Sequence, residues 1–262
     1  KEGKNIILKN NLNLKTNQLV LYGNHAVLSA LQNKQRKLHY LISTKENYMQ
    51  WEKSIKDFGL KIEIKIKTKE QLDIINNFKP HQNVILIVEP LKRISLDEFL
   101  IEQQFISKHP LRIIILDQVT DPQNVGAIIR SAYAFKMDAL ALSQTNSPIE
   151  SIGMSKASSG TIEKLKIIEL SNMSRAIRKL QDANFHVYGL ANGGYGSVLD
   201  LEKEDGNVAV IVGSEGKGLR RLTREKVDQL LKIPINPDSE SLNVSNAASI
   251  SMFQLQKNII KN

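Results

Sequence analysis

The sequence predicts an α/β fold, because apolar strand candidates alternate with helical segments along most of the chain. Its 262 residues suit two compact units or one large α/β unit, and 41% hydrophobic residues are enough to build a core. The strand candidates of the second half are mostly continuous apolar runs, which indicates burial on both faces of a parallel sheet. We therefore expect helices on both sides of that sheet.

The first third of the chain contains four strand candidates separated by helix-like stretches. They are residues 19–22, 37–43, 60–66 and 83–89. Apolar residues recur with helical spacing between the first two, and Asn24 is the expected N-cap of that helix. Residues 1–18 are rich in Lys and Asn and are expected to form a mobile basic arm ahead of a domain spanning 19–90.

A second α/β series follows a segment bounded by prolines. Residues 91–109 are helical in propensity and carry no strong strand signal, so we expect a linker between two domains that reorient freely. The second domain is then 110–262. Its strand candidates are residues 111–117, 138–143, 163–170, 185–191, 207–213 and 230–235.

Charge and residue usage exclude several classes of protein. Lys+Arg exceed Asp+Glu by 36 to 27, and this net charge of +9 favours a polyanionic partner such as nucleic acid. A merely basic soluble enzyme is the alternative. No apolar run approaches the roughly 20 residues of a membrane helix, and the first residues lack the apolar stretch of a signal peptide, so no membrane partner is expected.

Metal and thiol chemistry are not expected. The chain has no cysteine, which excludes disulfides and thiolate ligands and fits a reducing, cytoplasmic location. The five histidines lie far apart and show no metal-binding spacing. We therefore predict no metal site.

Three loops of the second domain follow strand ends, where open α/β sheets form ligand sites. In the first, residues 116–135, Asp121 precedes a proline that ends the strand, and Asn124 is placed to cap the next helix. Arg130 projects from that helix. Taken alone, this loop is better explained as an ordinary strand-to-helix connection with a surface arginine.

The other two loops are rich in small residues. Residues 212–225 place three glycines after a strongly apolar strand, which allows a ligand to approach the main chain. This loop lacks the lysine of a phosphate loop and the third glycine of a dinucleotide fingerprint. Residues 232–255 contain a helix that begins near Asn243 and whose many Ser and Ala residues permit close packing.

Taken together, NVGAIIR (124–130), GSEGKG (213–218) and SLNVSNAASI (241–250) resemble the three signature motifs of the SpoU/TrmH family of ribose 2′-O-methyltransferases, in the SPOUT superfamily. The first third, with LYGNHAVLSAL (21–31) and HQNVILIVEP (81–90), is similar to a small ribosomal-protein-like α/β RNA-binding domain. That domain occurs in the subgroup that methylates a guanosine of 23S ribosomal RNA.

The resemblance implies a cofactor, S-adenosylmethionine, and a set of site residues. The positions that match main-chain cofactor contacts of the family are Gly213, Ile233 and Leu242, with Asn192, Gly193, Val244 and Gly218 as further candidates. Those that match its catalytic positions are Arg130, Asn124, Glu215, Asn243 and Ser245. Because a guanidinium stays charged, we expect Arg130 to stabilise the oxyanion or the target phosphate and not to act as a base.

The family also implies a deep trefoil knot, with the helix of 241–255 passing through the region near 207–220, and a homodimer whose active site lies at the interface. The residues expected to grip RNA phosphates are Arg36, Lys37, Arg220, Arg221 and Arg224. A second hypothesis is a transfer RNA methyltransferase or an adenosine-specific one. A third is a non-catalytic RNA-binding assembly factor.

Overall fold

The computed structural model describes residues 14–15, 17–143, 154 and 157–256. Contacts divide the chain into two compact units. Unit one comprises Lys1–Leu91 and Glu150–Lys164, and unit two comprises Lys92–Ile149 and Leu165–Asn262. Most of the predicted basic arm lies outside the described residues, although Leu14 packs against the core of unit one.

Unit one is a four-stranded sheet with helices on both faces. Its strand order is β1-β4-β2-β3, with β4 antiparallel to both of its neighbours and β2 parallel to β3. The elements are β1 (Leu19–Tyr22), α1 (Asn24–Gln32), β2 (Leu38–Ser43), α2 (Tyr48–Asp57), β3 (Glu63–Ile66), α3 (Lys69–Ile75) and β4 (Val84–Val88).

Alternating side chains of β4 divide between two core clusters. Leu86 packs in the cluster that holds Trp51 of α2, whereas Ile85 and Ile87 pack in the cluster that holds Leu72 of α3. All of β4 is buried, because the period of two in a strand sends successive side chains to opposite faces and both faces carry helices.

The start of α1 differs from the expectation. Gly23, with a φ of 90°, occupies the N-cap position, and Asn24 is the first helical residue and makes no side-chain cap hydrogen bond. Glycine adopts this backbone conformation without the steric cost that a Cβ imposes. The capping prediction for Asn24 is therefore wrong.

A segment from the second half of the chain belongs to unit one. The 3₁₀ helix Thr161–Lys164 packs against α1, and Asn33 donates to Glu163 at 2.8 Å. The Arg36 guanidinium forms an ion pair with Glu163 at 3.5 Å, and both side chains are almost completely buried. The prediction that Arg36 grips an RNA phosphate is therefore wrong, because its charge is enclosed and paired inside unit one.

Unit two is built on an eight-stranded sheet. The order is β10-β12-β9-β11-β6-β7-β8-β5, and each neighbouring pair is parallel. The elements are β5 (Ile94–Ser95), α4 (Leu96–Ile106), β6 (Arg112–Asp117), α5 (Pro122–Ala134), β7 (Ala139–Ser143), β8 (Lys166–Leu170), α6 (Met173–Asp182), β9 (Phe185–Leu190), β10 (Gly196–Ser197), a 3₁₀ helix (Val198–Lys203), β11 (Asn207–Gly213), α7 (Arg221–Lys226), β12 (Gln229–Lys232) and α8 (Val244–Gln256).

All of the predicted linker, residues 91–109, except Leu91 belongs to unit two. Ile94 and Ser95 add an edge strand beside β8, and Ser95 and Glu98 form a capping box at the start of α4. Phe99 of α4 is fully buried in the core of the large sheet. The segment was misjudged because its helical pattern could not reveal a two-residue strand or the surface that covers Phe99.

Candidate active site

The carboxyl ends of β9, β11 and β12 surround a cavity of about 390 Å³ in unit two. A site at this end of a parallel sheet, beside the point where strand order reverses, is the usual position of a ligand in an open α/β fold. All seven residues predicted to contact a cofactor line this cavity: Asn192, Gly193, Gly213, Gly218, Ile233, Leu242 and Val244. The cavity is large enough for a drug-sized ligand.

One wall of the cavity is a tight turn after β11. The amide of Gly218 donates to the carbonyl of Ser214 at 2.8 Å, and the two residues form an isolated antiparallel bridge. Three main-chain atoms of Gly218 and Leu219 lie within 3.0 Å of the position that a Cβ of Gly213 would occupy. Only glycine fits at 213, because the chain folds back directly against it.

A carboxylate of that turn joins three loops. The Glu215 Oε1 atom accepts from Asn124 Nδ2 at 3.3 Å, from Asn243 Nδ2, and from the amide of Val244 at 3.4 Å. Asn243 Nδ2 also donates to Asn124 Oδ1 at 3.1 Å. Asn124 belongs to α5 and Val244 begins α8, so one side chain holds both helix starts against the turn.

The first residues of α8 are fixed by the same asparagine. Asn243 precedes the helix, and its Oδ1 accepts from the amide of Ser245 at 2.9 Å and from the Ser245 hydroxyl at 2.6 Å. This is the contact pattern of an N-cap. The structure therefore brings together four of the five predicted catalytic residues, although at α5 the N-cap is Asp121 and not Asn124 as predicted.

Arg130, the fifth predicted catalytic residue, lies apart from this cluster. It is on α5, six residues after Asn124 and so roughly 9 Å further along the helix axis. Its side chain is exposed. Within the described part of the chain, no hydrogen bond or ion pair joins Arg130 to the other four residues.

A buried carboxylate beside the site was not predicted from the sequence. Asp117, at the end of β6, is fully buried and accepts from Arg220 Nε at 2.7 Å and from the Thr223 hydroxyl at 2.8 Å. These contacts fix the start of α7 against the sheet. An aspartate that ends an otherwise apolar strand was the signal that would have found it.

The predicted phosphate-binding residues have different surroundings. Arg220 is held by Asp117, with 42% of its side chain exposed, and Arg221 pairs with Glu225 at 2.6 Å. Arg224 lines the cavity. Lys37, in unit one, is 77% exposed beside Glu89. These four side chains reach solvent, whereas that of Arg36 does not.

Across the described residues, no group of three or more His, Cys, Asp or Glu side chains could hold a metal ion. None of the helices in the described ranges is long and apolar enough to cross a membrane.

Comparison with known proteins identifies both parts of the chain. The family model for the SpoU rRNA methylase family matches residues 111–253, and the model for RNA 2′-O ribose methyltransferase substrate binding matches residues 20–93. A chain of Staphylococcus epidermidis assigned to the TrmH family of tRNA/rRNA methyltransferases is 32% identical over 240 residues, which cover 91% of this chain and 95% of the relative.

Two further similar proteins cover different shares of this chain. The 23S rRNA (guanosine-2′-O-)-methyltransferase RlmB of Xanthomonas campestris pv. campestris is 39% identical over 142 residues, 54% of this chain and 57% of the relative. The crystal structure of the SpoU methyltransferase AviRb from Streptomyces viridochromogenes, in complex with AdoMet, superposes with a TM-score of 0.80 and 17% identity over the full length of both chains. This second likeness confirms the predicted α/β fold. The chain therefore belongs to the SpoU rRNA methylase family of RNA methyltransferases.

Proposed function

We propose that this protein transfers a methyl group from S-adenosylmethionine to a ribose 2′-hydroxyl of a guanosine in 23S ribosomal RNA. The observation that carries the proposal is the Glu215 carboxylate, which joins the turn after β11 to the starts of α5 and α8 beside the cavity. The 39% identity to RlmB supports guanosine in 23S ribosomal RNA over a transfer RNA or adenosine target.

The cavity residues suit an adenosine-bearing cofactor. The tight turn at Gly213 offers exposed main chain, and the side chains of Ile233 and Leu242 add apolar surface. Such a slot recognises a neutral ring through backbone groups and shape. When bound, S-adenosylmethionine supplies an electrophilic methyl group on a sulfonium sulfur. We assign Asn192, Gly193, Gly218 and Val244 to the same contact surface.

Glu215 positions the site by holding two asparagines. Its carboxylate accepts three N–H groups on one oxygen, and this fixes the side chains of Asn124 and Asn243 at the cavity edge. Ser245 keeps Asn243 in its orientation. The two asparagines thereby present polar groups in a defined geometry where the ribose must enter, so that its 2′-oxygen is held towards the cofactor.

Arg130 is assigned an electrostatic role at the subunit interface, where the active site of the proposed homodimer would lie, because within one chain it lies roughly 9 Å along α5 from Asn124. A guanidinium cannot take a proton at neutral pH, but a fixed positive charge stabilises the oxygen as the hydroxyl loses its proton. Arg130 would hold this charge at the ribose oxygen while the hydroxyl proton passes to solvent. If the charge alone suffices, Arg130→Lys keeps most of the turnover that Arg130→Ala loses; loss in both variants indicates paired hydrogen bonds to a phosphate.

Phosphate contacts are assigned to Lys37, Arg220, Arg221 and Arg224. Arg224 lines the cavity itself, and Arg220 is fixed by Asp117 and so is preorganised for an anionic backbone. Binding through such contacts weakens steeply as salt rises. RNA affinity measured at increasing potassium chloride is therefore expected to fall along a straight line on logarithmic axes.

We extend the proposal to the oligomeric state and to the chain topology. We assign a homodimer, because Tyr133 of α5 and Phe253 of α8 leave 43% and 48% of their surfaces exposed on two helices that pack together. We also assign the trefoil knot that the family motifs imply. Sedimentation of the full chain at micromolar concentration tests the dimer, for which a monomer mass is the contrary result.

A transfer assay tests the activity. The full chain is incubated with S-adenosylmethionine carrying a tritiated methyl group and with unmodified transcripts of 23S ribosomal RNA or transfer RNA. We expect label in 23S RNA, recovered after nuclease digestion as 2′-O-methylguanosine, and much less with Glu215→Ala. Label in transfer RNA alone, in adenosine, or in a base contradicts the proposed specificity.

A further inference from the structure

The loop between α3 and β4, residues 76–83, is under backbone strain. The described part of the chain contains eight non-glycine residues with positive φ, and four of them lie in this loop: Asn77 (49°), Phe78 (54°), Gln82 (53°) and Asn83 (60°). Each is disfavoured because Cβ approaches a neighbouring carbonyl oxygen. Strain of this kind persists only where the surrounding structure enforces it, and it concentrates at functional sites.

Phe78 is energetically unfavourable in both its backbone conformation and its side-chain exposure. Its backbone is left-handed, and 76% of its side chain is exposed. Asn77 has an ordinary explanation, because asparagine often ends a helix in this conformation. The Phe78 amide donates to the carbonyl of Asp73 at 2.7 Å and so helps to close the end of α3, but its ring belongs to neither core cluster of unit one. An aromatic residue that does not contribute to the core, at a strained position, points to a contact outside the chain.

Buried side chains hold the loop in this shape. Asn76 is fully buried and donates to the carbonyl of Lys79 at 2.9 Å. His81 is 4% exposed; its Nδ1 accepts from the amide of Asn83 at 3.0 Å, and its Nε2 therefore donates to Asp73 at 3.0 Å. The conformation of Phe78 is thus set before any partner arrives, which lowers the entropic cost of binding.

Two side-chain amides belong to the same loop as the exposed ring. Gln82 Oε1 accepts from the amide of Asn24 at 2.7 Å, which anchors this exposed side chain and leaves its NH₂ group pointing away from that contact. Asn77 is adjacent to Phe78 in sequence. Amide side chains donate and accept together, so they match the mixed edges of nucleobases.

The loop lies at a charged edge of the sheet. Ser43 pairs with Val84 on one side and with Ile66 on the other, so the residues that follow β2 and β3 and those that precede β4 share one edge. This edge carries the lysines Lys45, Lys67, Lys69 and Lys79 together with the carboxylates Glu46 and Glu70. The excess of lysine suits a polyanion that contributes a few phosphates beside one recognised base.

We infer that residues 76–83 form a binding surface for an unpaired RNA base, which stacks on Phe78 while Asn77 and Gln82 contact its edge. Sequence recognition in RNA uses bases that are splayed out of a helix and stacked on aromatic side chains. The inference rests on the proposed function, because it takes RNA as the ligand. It deepens that function by locating an RNA-binding surface within unit one, which matches a substrate-binding family model.

Fluorescence of a base analogue tests the stacking. The probe is a 12-nucleotide single-stranded RNA carrying one 2-aminopurine, titrated with the full chain. We expect quenching on binding and an affinity that Phe78→Ala lowers about 5- to 150-fold, the range found for loss of one base-aromatic stack. Phe78→Tyr keeps both quenching and affinity. Phe105→Ala removes a similarly exposed ring (83% exposed) from α4 of unit two and is the matched control.

The outcomes separate this inference from the proposed function. Unchanged affinity in Phe78→Ala overturns the inference, and so does an equal loss in Phe105→Ala; the first result is the one expected if Phe78 contacts a protein. We expect Phe78→Gly to bind RNA more weakly and to have a raised Tm, because glycine adopts positive φ without strain. This combination supports the inference. S-adenosylmethionine binding is unchanged in all these variants. A chain that quenches through Phe78 yet methylates nothing refutes the proposed activity alone.

Discussion

Replacing Gly213 by alanine tests how closely the turn after β11 is built. Three main-chain atoms of Gly218 and Leu219 lie about 1 Å closer to the new Cβ than the 3.4 Å at which ordinary contacts begin, so the chain must move by about that distance. Overpacking of a rigid site costs about 1–3 kcal/mol. Because the atoms that must move are backbone, no side-chain rotation relieves the overlap, and the displacement passes to Ser214 and Glu215.

Calorimetric titration with S-adenosylmethionine measures the consequence. If the strain is relieved by opening the turn, a cost of about 1–3 kcal/mol weakens binding by roughly 5- to 150-fold. Gly206→Ala is the matched control, since nothing lies within 4 Å of its added methyl group. Circular dichroism establishes that both variants are folded. A folded Gly213→Ala protein that binds S-adenosylmethionine as tightly as the wild type would refute the reasoning.

Three further predictions concern charged groups. Arg36→Ala leaves the buried carboxylate of Glu163 without its ion-pair partner and is expected to lower the free energy of unfolding in urea by about 3–5 kcal/mol. Lys37→Ala, which removes an exposed ion pair, is expected to lower it by less than about 1 kcal/mol. Equal effects of the two substitutions would contradict the buried pair. Glu215→Gln replaces an acceptor of three N–H groups by an amide and is expected to lower turnover at least about tenfold in the tritium assay while circular dichroism is unchanged, so wild-type turnover argues against a positioning role. Burial raises the pKa of Asp138 above the value of about 3.9 that an aspartate has in the unfolded chain. The folded state therefore binds the carboxyl proton more tightly than the unfolded state does. The stability that the protonated Asp138 contributes is lost as pH rises through the pKa of the folded state. Asp138→Asn is therefore expected to gain stability relative to the wild type between about pH 4 and pH 7, as followed by thermal unfolding, and a constant difference across that range would contradict the shift.

Much of the site could be predicted because its signals are local. Continuous apolar runs located the strands of unit two, and the loops that follow them carry Asn124, Glu215 and Asn243, which the structure brings within hydrogen-bond distance. In a parallel sheet the carboxyl ends of neighbouring strands share one edge, so residues distant in sequence meet there. The motif resemblance then indicated which of these polar residues belong together.

The failures involve contacts between distant segments. Arg36 was predicted to face RNA because arginine is usually exposed. No residue near it in the sequence indicates that its partner is Glu163, 127 residues away. The linker prediction failed for the same reason, since β5 is defined only by its pairing with β8. Both caps were misplaced by one to three residues, because Gly23 and Asp121 are also acceptable caps and only backbone geometry decides between the candidates.

The cavity beside the turn at Gly213 is the place where we propose that the methyl donor binds. A crystal structure of the full chain grown with S-adenosylhomocysteine tests this directly. We expect the ligand between Gly213, Ile233 and Leu242, with its sulfur directed towards Asn124 and Asn243. Density for the ligand elsewhere in unit two, with this cavity filled only by water, would contradict the account.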